Sequence, residues 1–249
     1  MLPTLTFADY VTDRTRLEEL TDQLQHVLAH QRACIIQGFP VEEQHQTLKA
    51  MVHQLGRPLL EARNIDGGMV YPVTPDRVSP TPAYVDTPYT FDCHTDCAEF
   101  KHVPEGVVLL CETPAESGGD TLWVDLEDIL PELSYETLLQ LQKPVFNFRI
   151  HKAPILRVNP LTEHVEIRYH GAMLALTDSL AEEVGFLARS PELLAACEEL
   201  ESKAQEKTQQ FKLATGDCLV LDNTRSLHGR TAFSGHRLLK RVRFRKFSR

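Results

Sequence analysis

At 249 residues the chain is long enough to bury a sizeable core, and its 42% hydrophobic and 24% charged content is that of an ordinary globular protein. A formal charge of −9, from 26 basic and 35 acidic side chains, opposes a nucleic-acid backbone over most of the surface, and no apolar run approaches the roughly 20 residues of a membrane helix. The opening MLPTLTFADYVTDRTR lacks the zones of a secretory signal and the six cysteines show no dense disulfide spacing, so a reduced, cytoplasmic setting is expected.

In chain order, Leu17, Leu20, Leu24, Val27 and Leu28 recur at helical spacing within residues 13 to 31, and ACIIQGF reads as a short buried strand closed by Gly38. A second amphipathic helix fits 41 to 55, so residues 1–60 are expected to be mostly helical. Residues 60 to 105 are rich in proline, aspartate and threonine and read as loop until the stretch FDCHTDCAEF. GVVLLCE (106 to 112) reads as a strand, SGGD (117 to 120) as a turn, and DLEDILPELSYETLLQLQ as a helix interrupted near Pro131. VFNFRIHK (145 to 152) alternates like one strand, and NPLTEH (159 to 164) marks a hairpin turn before VEIRYH. Residues 178 to 206 are helical with a break at Ser190-Pro191. GDCLVLDN, SLHGRTAF and RLLKRVRF then form three strand candidates separated by turn residues. Strands and helices do not alternate regularly, and neither GxGxxG nor a P-loop occurs, which argues against a Rossmann sheet.

His94 and Asp96 stand two apart, and on a strand such residues share one face about 6 to 7 Å apart. His228 in SLHGR is the candidate third ligand. Two imidazoles and one carboxylate on one face of an octahedral ion match the arrangement of non-haem Fe(II) oxygenases; zinc instead takes four ligands, with one position left open in a catalytic site. Cys93 and Cys97 have the opposite parity and are expected to point away from these ligands.

GGDTLWVD (118 to 125), LDNTRSLHGRTAF (221 to 233) and RLLKR (237 to 241) stand in an order that resembles the taurine dioxygenase and clavaminate synthase-like family of Fe(II)/2-oxoglutarate oxygenases. DNTRSLHGRTAFSGHRLL is similar to the distal-histidine segment of γ-butyrobetaine and trimethyllysine hydroxylases. The resemblance implies a mainly β fold with flanking helices: a double-stranded β-helix, the cupin-like jelly roll. It implies one domain over 1–249, with a mostly helical part at 1–60 and an insert at about 125–215.

It also implies that His94, Asp96 and His228 hold Fe(II), and that Thr121 and Arg237 anchor the far carboxylate of the cosubstrate 2-oxoglutarate, with O2 as the oxidant. Arg241, four residues past Arg237, is implied near the metal-binding end of the cosubstrate. If Arg237 points inward, Leu239, Arg241 and Arg243 share its face and Val242 and Phe244 lie opposite; the reversed parity puts all three arginines in solvent. Because Asp96 retains its carboxylate, halogenation is not expected. The implied activity is hydroxylation of a C–H bond of a small polar metabolite, such as an amino acid or related zwitterion. Desaturation or cyclisation at the same centre, a zinc hydrolase and a non-catalytic jelly-roll binding protein are the alternatives. For the substrate, Arg168, Tyr169 and His170 in EIRYHG and Glu99 beyond the HxD are candidate contacts, and Asn64, Tyr71, Tyr84 and Tyr89 a candidate lid. Trp123 reads most simply as core. Oligomeric state is not legible.

Overall fold

In the computed structural model, residues 2–10, 17–60, 68–75, 84–147, 151–183 and 188–246 are described. The larger sheet is organised on the strand Leu238–Lys246, which pairs antiparallel with Gly106–Thr113 on one side and with the short strands Gly56–Pro58 and Tyr71–Val73 on the other. Beyond Gly106–Thr113 follow Cys218–Asp222, Ala33–Gln37 and, in parallel, Thr4–Thr6, giving seven strands. The smaller sheet has four antiparallel strands in the order Gln209–Phe211, Thr121–Asp125, Ser226–Arg230 and Phe91–His94. The protein is thus mainly β with flanking helices, and among the described residues no helix is long and apolar enough to cross a membrane.

The two-residue period of the strands divides the apolar residues into three layers. Ile36, Val108, Val220, Val242 and Phe244 face outward from the larger sheet and pack under the helices Leu17–Gln31 and Gln46–Leu55. Tyr71, Val107, Leu219, Leu221 and Leu239 face the other way and meet Trp123 of the smaller sheet, forming the layer between the sheets. Behind the smaller sheet, Val124 and Leu227 contact a third layer built from residues 126 to 204, with Leu174 and Leu200 supplied by the helices Gly171–Glu183 and Pro191–Lys207. Val242 and Phe244 therefore lie under the outer helices while Arg241 is turned inward, the first of the two parities open to the last strand.

Several local expectations are corrected. VFNFRIHK is not one strand: Val145–Asn147 and His151–Ala153 pair with each other antiparallel, with turn-prone Asn147 at the end of the first arm and 148–150 outside the described residues. The second helix begins at Gln46, because His45 takes φ 53° and the Glu42 carboxylate accepts from the Thr47 N–H and hydroxyl just ahead of it. The helix placed at 178 starts at Gly171 and ends at Glu183. SGGD carries a two-residue strand, Ser117–Gly118, paired with Phe233–Ser234, and the turn after it needs Gly118 and Gly119 at φ 67° and 69°.

Candidate metal centre and active site

His94 ends its strand and faces His228 directly across the ladder. Asp96 is not on that strand. The pairing stops at His94, the Thr95 N–H donates to the Tyr169 carbonyl, and Asp96 sits in the turn that follows, with Cys97 at φ 59°. The three side chains still converge: each offers a ligand atom within 4.8 Å of the others, and all three are buried. His94 Nε2 lies 3.3 Å and His228 Nε2 3.9 Å from Asp96 Oδ1. His94 Nδ1 lies 2.8 Å from the Asp92 carbonyl, to which it donates as the Nδ1–H tautomer, leaving Nε2 with a free lone pair toward the centre. Burial pushes His228 down to about 3, which keeps this imidazole neutral and able to ligate. Two imidazole nitrogens and one carboxylate oxygen, converging and shielded from water, fit a divalent transition metal.

The carboxylate of Asp96 is divided between two sets of neighbours. Oδ1 faces the imidazoles, whereas Oδ2 accepts from Arg243 Nε at 2.8 Å and lies 3.3 Å from Arg241 Nη1. Burial works against its charge, but Arg241 and Arg243 outweigh it and hold Asp96 well below the usual carboxylate range. Arg241 also lies 5.0 Å over the Tyr71 ring.

The turn itself is held by Asn223, which is fully buried. Its Oδ1 accepts the Asp96 N–H at 2.8 Å, and its Nδ2 donates to the carbonyls of Asp96 at 3.1 Å and Pro104 at 2.8 Å. Sequence reading passes over Asn223, and although an inward row of arginines calls for anionic partners it does not single out Asp96 as the partner of Arg243. The available signal was the polar pair Asp222-Asn223 directly after the apolar run CLVL.

Arg237 lies just before the last strand, 6% exposed, with its guanidinium 5.5 Å from the centre of the Phe233 ring. Among the described residues no carboxylate pairs with it, and burial pushes its pKa down to about 10. A buried cation of this kind calls for an anion. The GGDT turn passes against it: a Cβ on Gly119 would stand 3.2 Å from Arg237 Cδ and Nε. Thr121, two residues on, is 3% exposed.

The candidate substrate contacts have other engagements. Arg168 donates from its two terminal nitrogens to the carbonyls of Phe100 at 3.1 Å and Lys101 at 3.3 Å, bracing the segment after Asp96. Tyr169 is 3% exposed and donates to Glu201 Oε1 at 2.5 Å. Tyr169 and His170 border a cavity of about 600 Å³ together with Phe91 and His94; Glu99, half-buried in the turn, does not line it. Of the expected lid, Tyr71 is a core residue, 1% exposed and donating to Asp86 Oδ2 at 2.7 Å, while Tyr89 is 65% exposed. Tyr84 opens a 3-10 turn, and Asn64 falls outside the described residues. Arg230 holds this stretch to the distal-histidine strand by donating to the carbonyls of Val85 at 2.8 Å, Tyr89 at 3.1 Å, and Thr87.

Residues 7–243 match the model of the taurine catabolism dioxygenase TauD, TfdA family. The mitochondrial trimethyllysine dioxygenase of Rattus norvegicus is 27% identical over 257 residues, covering 96% of this chain and 57% of that protein; the chain thus spans little more than half the length of this curated relative. Among solved structures, asparagine oxygenase in complex with Fe(II), 2S,3S-3-hydroxyasparagine and succinate is similar with a TM-score of 0.75 at 18% identity, over 98% of this chain and 93% of that one. The non-heme iron oxygenase OrfP in complex with Fe and alpha-ketoglutaric acid gives 0.72 at 17% identity, over 98% and 94%.

Proposed function

The chain belongs to the taurine catabolism dioxygenase TauD, TfdA family, and from that premise we propose that it is an Fe(II)- and 2-oxoglutarate-dependent oxygenase that hydroxylates a C–H bond of a small polar metabolite, releasing succinate and CO2. In this reading the two facing sheets are the halves of a double-stranded β-helix, and 1–249 is one cytoplasmic oxygenase domain. The observation that carries it is the pairing of a buried His94–Asp96–His228 cluster with a buried Arg237 that has no carboxylate beside it among the described residues and lies against the GGDT turn. A zinc hydrolase has no use for the second of these.

Iron bound with 2-oxoglutarate and O2 supplies the oxidising chemistry; the side chains supply orientation and exclude competing reactions. His94, Asp96 and His228 hold the metal. The Arg237 guanidinium grips the far carboxylate of 2-oxoglutarate with its planar fork, and the Thr121 hydroxyl completes that carboxylate's hydrogen bonding. Arg243 and Arg241 occupy Asp96 Oδ2, so that Oδ1 is the oxygen left to ligate. An amino acid or related zwitterion is the substrate class that the relatives' names support, since they include trimethyllysine and hydroxyasparagine.

The test is succinate formation from 2-oxoglutarate under air with added Fe(II), across a panel of amino acids and quaternary amines. Turnover is expected to require the metal and to be lost in His228→Ala and Arg237→Ala. Mass spectrometry then separates hydroxylation, a gain of one oxygen, from desaturation or cyclisation, a loss of two hydrogens. If metal-loaded protein fails to bind 2-oxoglutarate at all, the proposal is wrong.

A further inference from the structure

Trp123 is the sole tryptophan of the chain and is 3% exposed, yet its indole N–H has no hydrogen-bond partner among the described residues. Buried indole N–H groups ordinarily find an acceptor, so this one marks a place where an acceptor belongs. Its position says which. Trp123 stands directly across the ladder from His228, and Thr121 stands across from Arg230 on the same two strands. Alternate residues of a strand share a face, roughly 6 to 7 Å apart, so Trp123 and Thr121 both face the layer between the sheets, with Trp123 on the His228 side. Arg237, turned into the same region against the GGDT turn, is a buried cation with no carboxylate beside it among the described residues. Ahead of the metal cluster, then, the inner wall presents a guanidinium and an indole N–H that the described residues leave unmatched, with the Thr121 hydroxyl two residues before the indole on the same strand.

We infer that the Trp123 indole N–H is a further hydrogen-bond donor to 2-oxoglutarate, forming with Thr121 and Arg237 a cradle matched to a dicarboxylate. The inference rests on the oxygenase reading and adds a binding residue to it. A phenylalanine or leucine would fill the same apolar space; only tryptophan adds a donor there, and only a ligand rich in acceptors can use it.

A single tryptophan makes the test direct. Protein loaded with Zn(II), which supports binding without turnover, shows one indole ¹H–¹⁵N resonance and one source of indole fluorescence. Titration with 2-oxoglutarate is expected to move that resonance downfield and to change the fluorescence at the same ligand concentration at which calorimetry reports saturation. Trp123→Phe, which keeps an aromatic ring and deletes the donor, is expected to raise the 2-oxoglutarate Kd about tenfold, the loss of one hydrogen bond to a charged acceptor, with Zn(II) affinity unchanged. A resonance that stays in place while 2-oxoglutarate saturates the protein overturns the inference and leaves the oxygenase reading standing. So does a Trp123→Phe protein that binds 2-oxoglutarate as tightly as wild type. Absence of any calorimetric binding to the metal-loaded wild type overturns both. The resonance arm uses the unaltered protein, so a variant that folds poorly does not block the answer.

Discussion

Asp96 is asked to serve two arginines and two imidazoles with only two oxygens, and its backbone is asked to hold still while it does so. Removing Arg243 leaves Oδ2 with Arg241 alone, and removing Asn223 leaves the Asp96 N–H and two carbonyls without partners in a site where water does not reach. Asn223→Ala is therefore expected to weaken metal binding by about ten- to a hundredfold, the usual consequence of losing a group that orients a ligand. Calorimetry with Zn(II) measures this, and an unchanged affinity would mean that the turn is held without the amide. At Arg237 charge alone is not enough: Arg237→Lys keeps the cation but loses the planar fork, so the 2-oxoglutarate Kd should rise at least about tenfold. Recovery of wild-type binding in that variant would argue that a point charge suffices.

The elements position these side chains through strand parity and one close approach. Phe244 packs outward under the helices, and its ring lies where a Cβ on Gly106 would be, 2.1 Å away. Gly106→Ala should cost about 1–3 kcal/mol in urea unfolding, with partial recovery when Phe244→Leu is added; a neutral single variant would show that the ring can move aside. Alternation is legible directly in RLLKRVRF and separates Arg241 and Arg243 from Val242 and Phe244, but a period of two leaves open which set faces inward, and the pairing of His94 with His228 joins strands distant in sequence. What escaped lies where that period stops. Asp96 reaches the centre from a turn, held by a Thr95 contact to Tyr169 and an Asn223 contact spanning 127 positions, and no local pattern encodes partners so distant. The hairpin of Val145–Asn147 with His151–Ala153 looked like one strand because alternation is the same for a strand and for the two arms of a hairpin.

At the scale of the molecule, the three apolar layers are tied at their edge by Glu127, which accepts from Arg32 beside the larger sheet and from Arg225 beside the smaller one at 2.5 Å. The Arg32 hydrogen bond is the main reason that Glu127 is held below the usual carboxylate range. A carboxyl with a depressed folded pKa contributes stability above its unfolded value, about 4.3, and loses it as pH falls through the folded value. Glu127→Gln should thus lower Tm at neutral pH by about 2–4 °C, since the half-exposed carboxylate is partly screened, and the gap to wild type should close on acidification below about pH 5. A gap that persists in acid would assign the effect to shape instead of charge. The strand Leu238–Lys246 borders three others and supplies both arginines that touch Asp96. During synthesis His94 and Asp96 leave the ribosome long before those arginines and His228 do, so a nascent chain can display the first two ligands without the means to retain iron. If the cluster holds iron as proposed, loading with a redox-active ion would in this way be deferred until the strand Leu238–Lys246 is made, and a truncated product would be spared the oxidant it could not control.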